Sequence, residues 1–585
     1  MVSREGRVDP PGRAHHGPSA TLVETPRRFR LALFSILWLP YAYLVWRFWF
    51  LNDDAYISFR YAKNLVQGHG LRFNLGDHVP VEGYSNFLWV LIAAVFEALR
   101  LDLGFWMPLI SALCGSLLLF LVFDLLHRRL SIGLFATVIA TLTLGCYPPF
   151  AHWSTSGLET MPFALLVYLT FERLTLRERG VDAVGAGLAG LALALIRVEG
   201  IGWVVVLLIL AVVSRRISGQ RDFKPFVLFA IIVGAGYGVY FAWRWWYYQD
   251  VLPNAVYAKS GAPLSFMLRG LKYVAFQWLT FLTPALIVVA SFFALRRKRI
   301  ALGLPVCALA WAFPAYAVVV TGDFMAMGRF LIPGLAFSTI LLAWMLGDLA
   351  GRTLPRHALA AALGAVIIVV GALPGWGVHV IPERIRAACD FRDQRFVSEY
   401  DRWRGQKANA RVRINRGKAL RAYARERCGP DASVVTYAIG ATGYFSDLFI
   451  YDLCGLVTPE VAHRKLRDPV MGNPGHDKAV SWDFFLKHSP TLLDTRVITG
   501  VSHRDVVAQI NELATTLRRW RPPELRRMYV PDFVELDTLS PLGTPEYLVL
   551  WRRLDRPADW EAEWRQFDAR LRTLLLKGEA PKLST

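Results

Sequence analysis

Apolar residues run almost without interruption from Leu31 to Leu51, and the run stops at two adjacent carboxylates, Asp53 and Asp54. Similar runs recur near 104–126, 131–147, 160–172, 182–196, 200–213, 225–243, 271–294, 300–320, 328–349 and 357–373. The longer ones fit the roughly 17–25 residues that cross a hydrocarbon core about 30 Å thick. The pattern predicts about eleven membrane helices. Between the first two runs, Ile57, Tyr61 and Leu65 recur at helical spacing. This predicts a short amphipathic helix at the membrane interface, closed by Gly68 and Gly70. A further apolar run, 87–99, is too short for a comfortable crossing. It is read as a helix lying against the outer interface.

Charge decides that reading. With 87–99 excluded, Arg27, Arg28 and Arg30, Arg128 and Arg129, Arg173, Arg177 and Arg179, Arg215 and Arg216, Arg296 to Arg299, and Arg352 and Arg356 all fall on one side. The positive-inside rule makes that side cytoplasmic. The chain has 585 residues, 54% of them hydrophobic and only 19% charged, with a formal net charge of +20. The positive charge is therefore read as membrane retention, and nucleic acid is not an expected partner. Residues 1–30 are rich in Pro, Gly and Arg and predict a disordered cytoplasmic tail. The membrane region spans 31–375, with an outer loop over 52–103.

Beyond about Pro382 the composition changes. Residues 384–427 hold fourteen Arg or Lys and predict a solvated basic helix near the headgroups. The runs SVVTYAIG, LFIYDLCGL, PTLLDT and EYLVLWRRL predict strands, with helices near 480–488 and 503–519. Residues 376–585 are thus expected to form an extracytoplasmic α/β domain. A disulfide there is chemically permitted, with Cys389 and Cys428 as the candidate pair.

The same topology sorts the chemistry. Asp53, Asp54, Glu82, Glu159, Arg197, Glu199, Lys259, Asp323 and Arg329 all fall on the outer face, away from the basic clusters. Ionisable groups at that depth mark pathways or sites. A transporter would place such groups near the bilayer midplane of several helices, whereas these gather at helix ends.

The motifs DDAYISFRYAKNLVQGHGLRFN, VEGYSNFLW, STSGLET, RVEG, LPNAVYAK and GDFMAMGRF, with GATGYFSDLFIYDLCGLVTPEVA and NPGHDKA in the tail, resemble the GT-C class of membrane glycosyltransferases. Within that class they are most similar to relatives of the terminal arabinofuranosyltransferase of mycobacterial cell walls. They depart from that pattern after the two acids and at EGYSNFLW. The resemblance implies a multi-pass protein of the bacterial inner membrane. It further implies transfer of a sugar, arabinofuranose first, from a polyprenyl-phosphate donor to a cell-envelope glycan. Another lipid-linked sugar such as mannose or galactose, or transport of a lipid-linked substrate, is the alternative. The resemblance places the essential acid at Asp53 or Asp54, with Asp53 slightly preferred for its nearness to the first helix. Arg197, Lys259 and Arg329 are the candidates for the donor phosphate, because cations stabilise a departing phosphate. Tyr56, Arg60, Glu82, Tyr84, Glu159, Glu199, Asp323 and His476 are candidate substrate contacts. The residues identify no cofactor, and the pair Asp53 and Asp54 permits a divalent cation.

Overall fold

The computed structural model describes residues 26–176, 182–261, 266–295, 299–351, 353–392, 395–465, 473–493, 497–498, 500, 502–518, 527–539 and 544–579. The reading of residues 1–30 as a disordered tail lies almost wholly outside them. So do Arg177, Arg179, Arg296, Arg297, Lys298 and Arg352.

The apolar runs become helices, and the protein is a multi-span helical membrane protein. Seven helical stretches among the described residues are long and apolar enough to cross a bilayer: Arg27–Phe48, Leu103–Arg129, Gly200–Ile217, Lys224–Tyr248, Ile300–Val319, Arg329–Ala350 and Leu354–Trp376. Shorter apolar helices, Phe87–Ala98, Leu134–Gly145 and Ala183–Ile196, stand beside them, as does Thr160–Thr175. Arg329–Ala350 is buried along most of its length and forms the centre of the bundle. The run 271–294, expected as one helix, is two. Met267–Phe281 ends at Leu282, whose φ is 52°, and Thr283–Ala294 restarts with Pro284 in its first turn. Proline lacks the N–H that a continuous helix would need there.

The basic ends are tied together. Arg30 and Arg128 both reach Asp124, at 3.2 and 3.8 Å. Arg129 pairs with Glu172, Arg173 with Asp182 at 2.6 Å, and Arg299 with Asp348 at 2.9 Å. At the opposite helix ends the chain makes its excursions. The stretch after the first helix forms a helix Ala55–Val66, whose residues are nearly all buried, and then Phe87–Ala98. The periodicity predicted the helix correctly but missed that both its faces are covered.

The tail forms a six-stranded sheet: β1 Ser433–Thr436, β2 Phe449–Asp452, β3 Leu492–Leu493, β4 Val497–Ile498, β5 Tyr529–Leu539 and β6 Pro545–Arg553. β2, β1 and β3 are parallel, in that spatial order. β6 runs antiparallel to β3 and β4, which lie end to end along one edge of it, and to β5 on its other edge. Alternation sends side chains to two faces. Val435, Leu493, Val549 and Trp551 pack with the helices His503–Arg518 and Trp560–Glu579 in a separate core. Val434, Leu492, Leu548 and Leu550 join the same hydrophobic core as the membrane helices.

Between that inner face and the bundle lies the basic helix Glu399–Arg427. It was expected to be solvated, yet it buries Trp403, Leu420, Tyr423 and Ala424 together with Glu399 and Arg416. The apolar positions are few, but they fall on the side that meets the sheet. All six cysteines are unpaired. Cys389 packs in the small cluster around Phe391, whereas Cys428 borders the main core, so the expected bridge does not form.

Candidate functional site

The two acids face different ways. The chain after the first helix is fixed when the Asn52 N–H donates to Ser156 O at 2.9 Å, and Asn52 Oδ1 accepts from the Asp54 N–H at 3.0 Å. Asp53 then turns toward the tail. Its Oδ1 accepts from the Ala441 N–H at 2.9 Å, and its Oδ2 pairs with Arg413 at 3.1 Å. Gly440 allows this approach, since a Cβ there would lie 2.0 Å from the Asp53 carbonyl oxygen. Both Asp53 oxygens are therefore committed to holding the tail.

Asp54 is half-buried and open. Burial raises its carboxyl above the usual carboxylate range, and Lys259 is the largest charge opposing that rise. Lys259 ends the short helix Asn254–Lys259 with much of its side chain open. Even so, desolvation pulls its ammonium below the ordinary lysine range, with Asp54 the largest opposing charge. Each is thus the largest opposing charge on the other, so the two groups lie within electrostatic reach in surroundings that disfavour charge. The Pro474–His476 turn closes one side, where a Cβ on Gly475 would lie 3.7 Å from Lys259 Cγ. Burial and the Lys259 charge both lower the His476 imidazole, keeping it neutral at pH 7.

Asp323 and Arg329 sit on the loop between two membrane helices. They pair at 2.9 Å, and the Arg329 guanidinium lies 5.6 Å from the Trp153 ring. Arg329 also contributes to the field at both Asp54 and Lys259. Thr321, Gly322, Met327 and Gly328 all have positive φ, at 64°, 85°, 57° and 60°. Two of these are not glycine, a backbone state that persists only where surroundings enforce it. The surroundings here are charged side chains. Arg269 donates to Thr321 O at 3.2 Å and to its hydroxyl at 2.7 Å, while gripping Asp477 at 2.7 and 2.9 Å. Arg392 donates to Phe324 O and Met325 O, each at 3.0 Å, and pairs with Glu399 at 2.9 Å. Glu399 accepts the Met327 N–H. The Arg392 and Glu399 side chains are 0% exposed.

The other expected site residues are engaged in contacts of their own. Arg197 is held between Glu159 and Glu199, each at 2.6 Å, and Glu159 also accepts from Asn86 at 2.7 Å. This network borders a cleft of about 20 Å³ shared with Arg329, Trp203 and Tyr316. Glu82 is buried against Arg244 at 2.6 Å, and burial lifts its carboxyl to about 7. The Tyr84 hydroxyl meets that of Tyr248 at 3.0 Å. Tyr56 packs on Tyr444 and Phe445. Arg60 donates to Gly443 O at 2.9 Å and Leu448 O at 2.8 Å. Tyr56 and Arg60 bind the first outer loop to the tail, while Glu82 and Tyr84 anchor it on the helix Lys224–Tyr248.

Sequence reasoning missed Arg269, Arg392, Glu399 and Arg413. Arg269 was legible as an isolated charge beside an apolar run, whereas the other three were hidden among many charges. A divalent cation does not fit this donor set. Asp53 is engaged by an arginine and a backbone N–H, and the largest charge acting on Asp54 is that of a lysine. Among the described residues no three His, Cys, Asp or Glu side chains converge on one point.

Residues 401–572 match a family described as "Domain of unknown function (DUF8728)". A terminal beta-(1->2)-arabinofuranosyltransferase from Corynebacterium glutamicum is 28% identical over 277 residues, which are 42% of this chain and 38% of that protein. The chain thus matches well under half the length of that curated relative. Among solved structures, ArnT from Cupriavidus metallidurans bound to undecaprenyl phosphate aligns at 14% identity over 81% of this chain and 96% of that one, with a TM-score of 0.48. The arabinofuranosyltransferase AftD from Mycobacteria aligns at 13% identity over 91% of this chain and 40% of that one, also with a TM-score of 0.48. Over those 277 residues the chain is thus similar in sequence to a terminal arabinofuranosyltransferase.

Proposed function

We propose that this protein is a glycosyltransferase that moves arabinofuranose from a polyprenyl-phosphate donor to an extracytoplasmic envelope glycan. One observation carries the reading: Asp54 and Lys259 are each the largest opposing charge on the other while desolvation shifts both, at the helix ends opposite the basic clusters. Outside the cytoplasm there is no nucleotide-sugar pool, so the activated sugar arrives on a lipid. In the reaction proposed, the acceptor hydroxyl gives its proton to Asp54 as its oxygen bonds to the anomeric carbon. The bond from that carbon to the phosphate oxygen breaks, and the electron pair leaves with the polyprenyl phosphate. Lys259 and Arg329 stabilise the charge that develops there. One uncommitted carboxylate suits a single displacement, which inverts the anomeric centre.

Incubating the purified protein with radiolabelled polyprenyl-phosphate sugars and glycan acceptors tests the proposal directly. Label should pass from the arabinofuranose donor to an arabinan acceptor, and failure of every lipid-linked sugar would overturn it. Lys259→Ala and Arg329→Ala should each weaken use of the donor by about 1–3 kcal/mol, the cost of a lost charged hydrogen bond. At roughly tenfold per 1.4 kcal/mol this is about a 5- to 150-fold loss in kcat/KM for the donor. Unchanged donor kinetics in both variants would remove these cations from the site.

The proposed topology has eleven crossings, a cytoplasmic N-terminus and an outer tail in the bacterial inner membrane. Leu75 and Leu354 are 52% and 84% exposed; Leu75 follows the end of the helix Arg27–Phe48, and Leu354 begins the helical stretch whose far end, Trp376, lies 5.1 Å from Arg47. A cysteine at 75 should react with an impermeant thiol reagent in intact cells, and a cysteine at 354 only after lysis. Reaction of both in intact cells would refute this orientation.

A further inference from the structure

The spatial order β2-β1-β3 puts the parallel neighbours of β1 on opposite sides of it. In open α/β sheets the crevice at the carboxyl ends of such strands is where ligands bind. Here the ends of β1 and β2 lie beside the acid pair: Gly440 abuts Asp53, and Asp54 and Lys259 both act on Cys454. β1 ends at Thr436 and Tyr437 follows it, while β2 ends at Asp452 and leads to Cys454, whose Sγ lies 3.8 Å from Tyr437 O.

Tyr437 is 43% exposed, although it stands among buried neighbours. Its ring stacks on His476 with centroids 5.5 Å apart and planes 15° apart. His476 in turn meets Phe324 at 4.7 Å and 78°. The tyrosine is thus backed by a stack that ends on the 321–329 loop, with ring surface left open. Lys259 and Asp323 supply charge beside His476, and Arg413 does so beside Tyr437.

A flat apolar surface rimmed by charged donors and acceptors complements a sugar ring, which has C–H groups on its faces and hydroxyls around its edge. A bare phosphate would gain nothing from the ring, and a polyprenyl chain would desolvate the rim without compensation. We propose that Tyr437 is the stacking platform of an acceptor subsite for a neutral sugar ring, placed beside the cleft that holds Asp54 and Lys259. This assignment rests on the glycosyltransferase reading and adds to it a role for the sheet.

The experiment uses the full chain in lipid nanodiscs with an arabinofuranose pentamer as acceptor. Tyr437→Ala should raise the acceptor KM at least tenfold and leave the donor KM unchanged. Tyr437→Phe should stay within about threefold of the parent, because the ring face and not the hydroxyl makes the contact. Saturation-transfer NMR with the pentamer alone should show sugar signals that Tyr437→Ala abolishes and Tyr437→Phe retains. An acceptor KM within twofold of the parent in Tyr437→Ala, while transfer proceeds, would overturn the platform and leave the glycosyltransferase standing. Equal losses in the Phe and Ala variants would also overturn it. If the parent protein transfers nothing yet binds the pentamer through Tyr437, the platform stands and the transferase reading fails.

Discussion

Asp54→Asn is expected to lower turnover by two to four orders of magnitude, the range associated with a positioned acid–base group. The amide keeps the shape of the side chain but cannot accept the proton. Because Asp54 faces an open cleft, expression and thermal stability should be nearly unchanged. Asp53→Asn should behave differently, since its carboxylate is bonded to Ala441 and Arg413. That variant should loosen the contact between the first outer loop and the tail and lower the melting temperature. The pH profile gives a second handle. Burial raises the Asp54 carboxyl, so the acid limb of kcat/KM should lie above the ordinary aspartate value of about 3.9. Lys259 is lowered, so the alkaline limb should lie below the ordinary lysine value of about 10.4. Near-parental turnover in Asp54→Asn, with a collapse confined to Asp53→Asn, would return the base to Asp53.

Breaking the Arg392–Glu399 pair should have the largest effect on stability. Both side chains are completely buried, and removing one partner of such a pair costs about 3–5 kcal/mol, since the remaining charge is left without compensation. Glu399→Gln and Arg392→Met should each lower the melting temperature sharply and depress turnover. The loop they hold also carries Asp323 and Arg329. The double variant Arg392→Met/Glu399→Leu should recover part of the stability, because it leaves no isolated charge. Turnover should stay low, because the Phe324 and Met325 carbonyls still lack their donor. Melting temperatures within a degree or two of the parent in both single variants would show that the loop holds its own conformation.

The helices were legible because an apolar run records burial in lipid one residue at a time, and nothing else in this chain produces such runs. The two polar ends were legible for a related reason: arginine clusters sit where helices must stop. The break at Leu282 was not, because both halves are equally apolar and one proline decides it. β5 was obscured by Pro531 and the acids along it, which local propensity counts against a strand although pairing with β6 accepts them. Within the candidate site, Asp54, Lys259, Asp323, Arg329 and His476 could be named from the sequence, and the structure brings them within electrostatic reach of one another. The different employment of Asp53 could not be named. It depends on Arg413 and Ala441, hundreds of positions away, and no local pattern links them. Glu82 and Arg197 were conspicuous as acid and base near a membrane, and each has a partner that accounts for its charge.

The hydrogen bond from Ala441 to Asp53 joins residues separated by 388 positions. At about 5–20 residues per second, translation places Asp53 outside the ribosome roughly 20–80 s before its partner exists. The membrane helices can therefore be inserted and folded while the acids still await Arg413, Glu399 and the loop at Gly440. During that interval the nascent chain has an anchored bundle but lacks the contacts that position Asp53 and the 321–329 loop. Completion of the chain therefore acts as a timer for assembly of the site, and a prematurely terminated product would sit in the membrane without one.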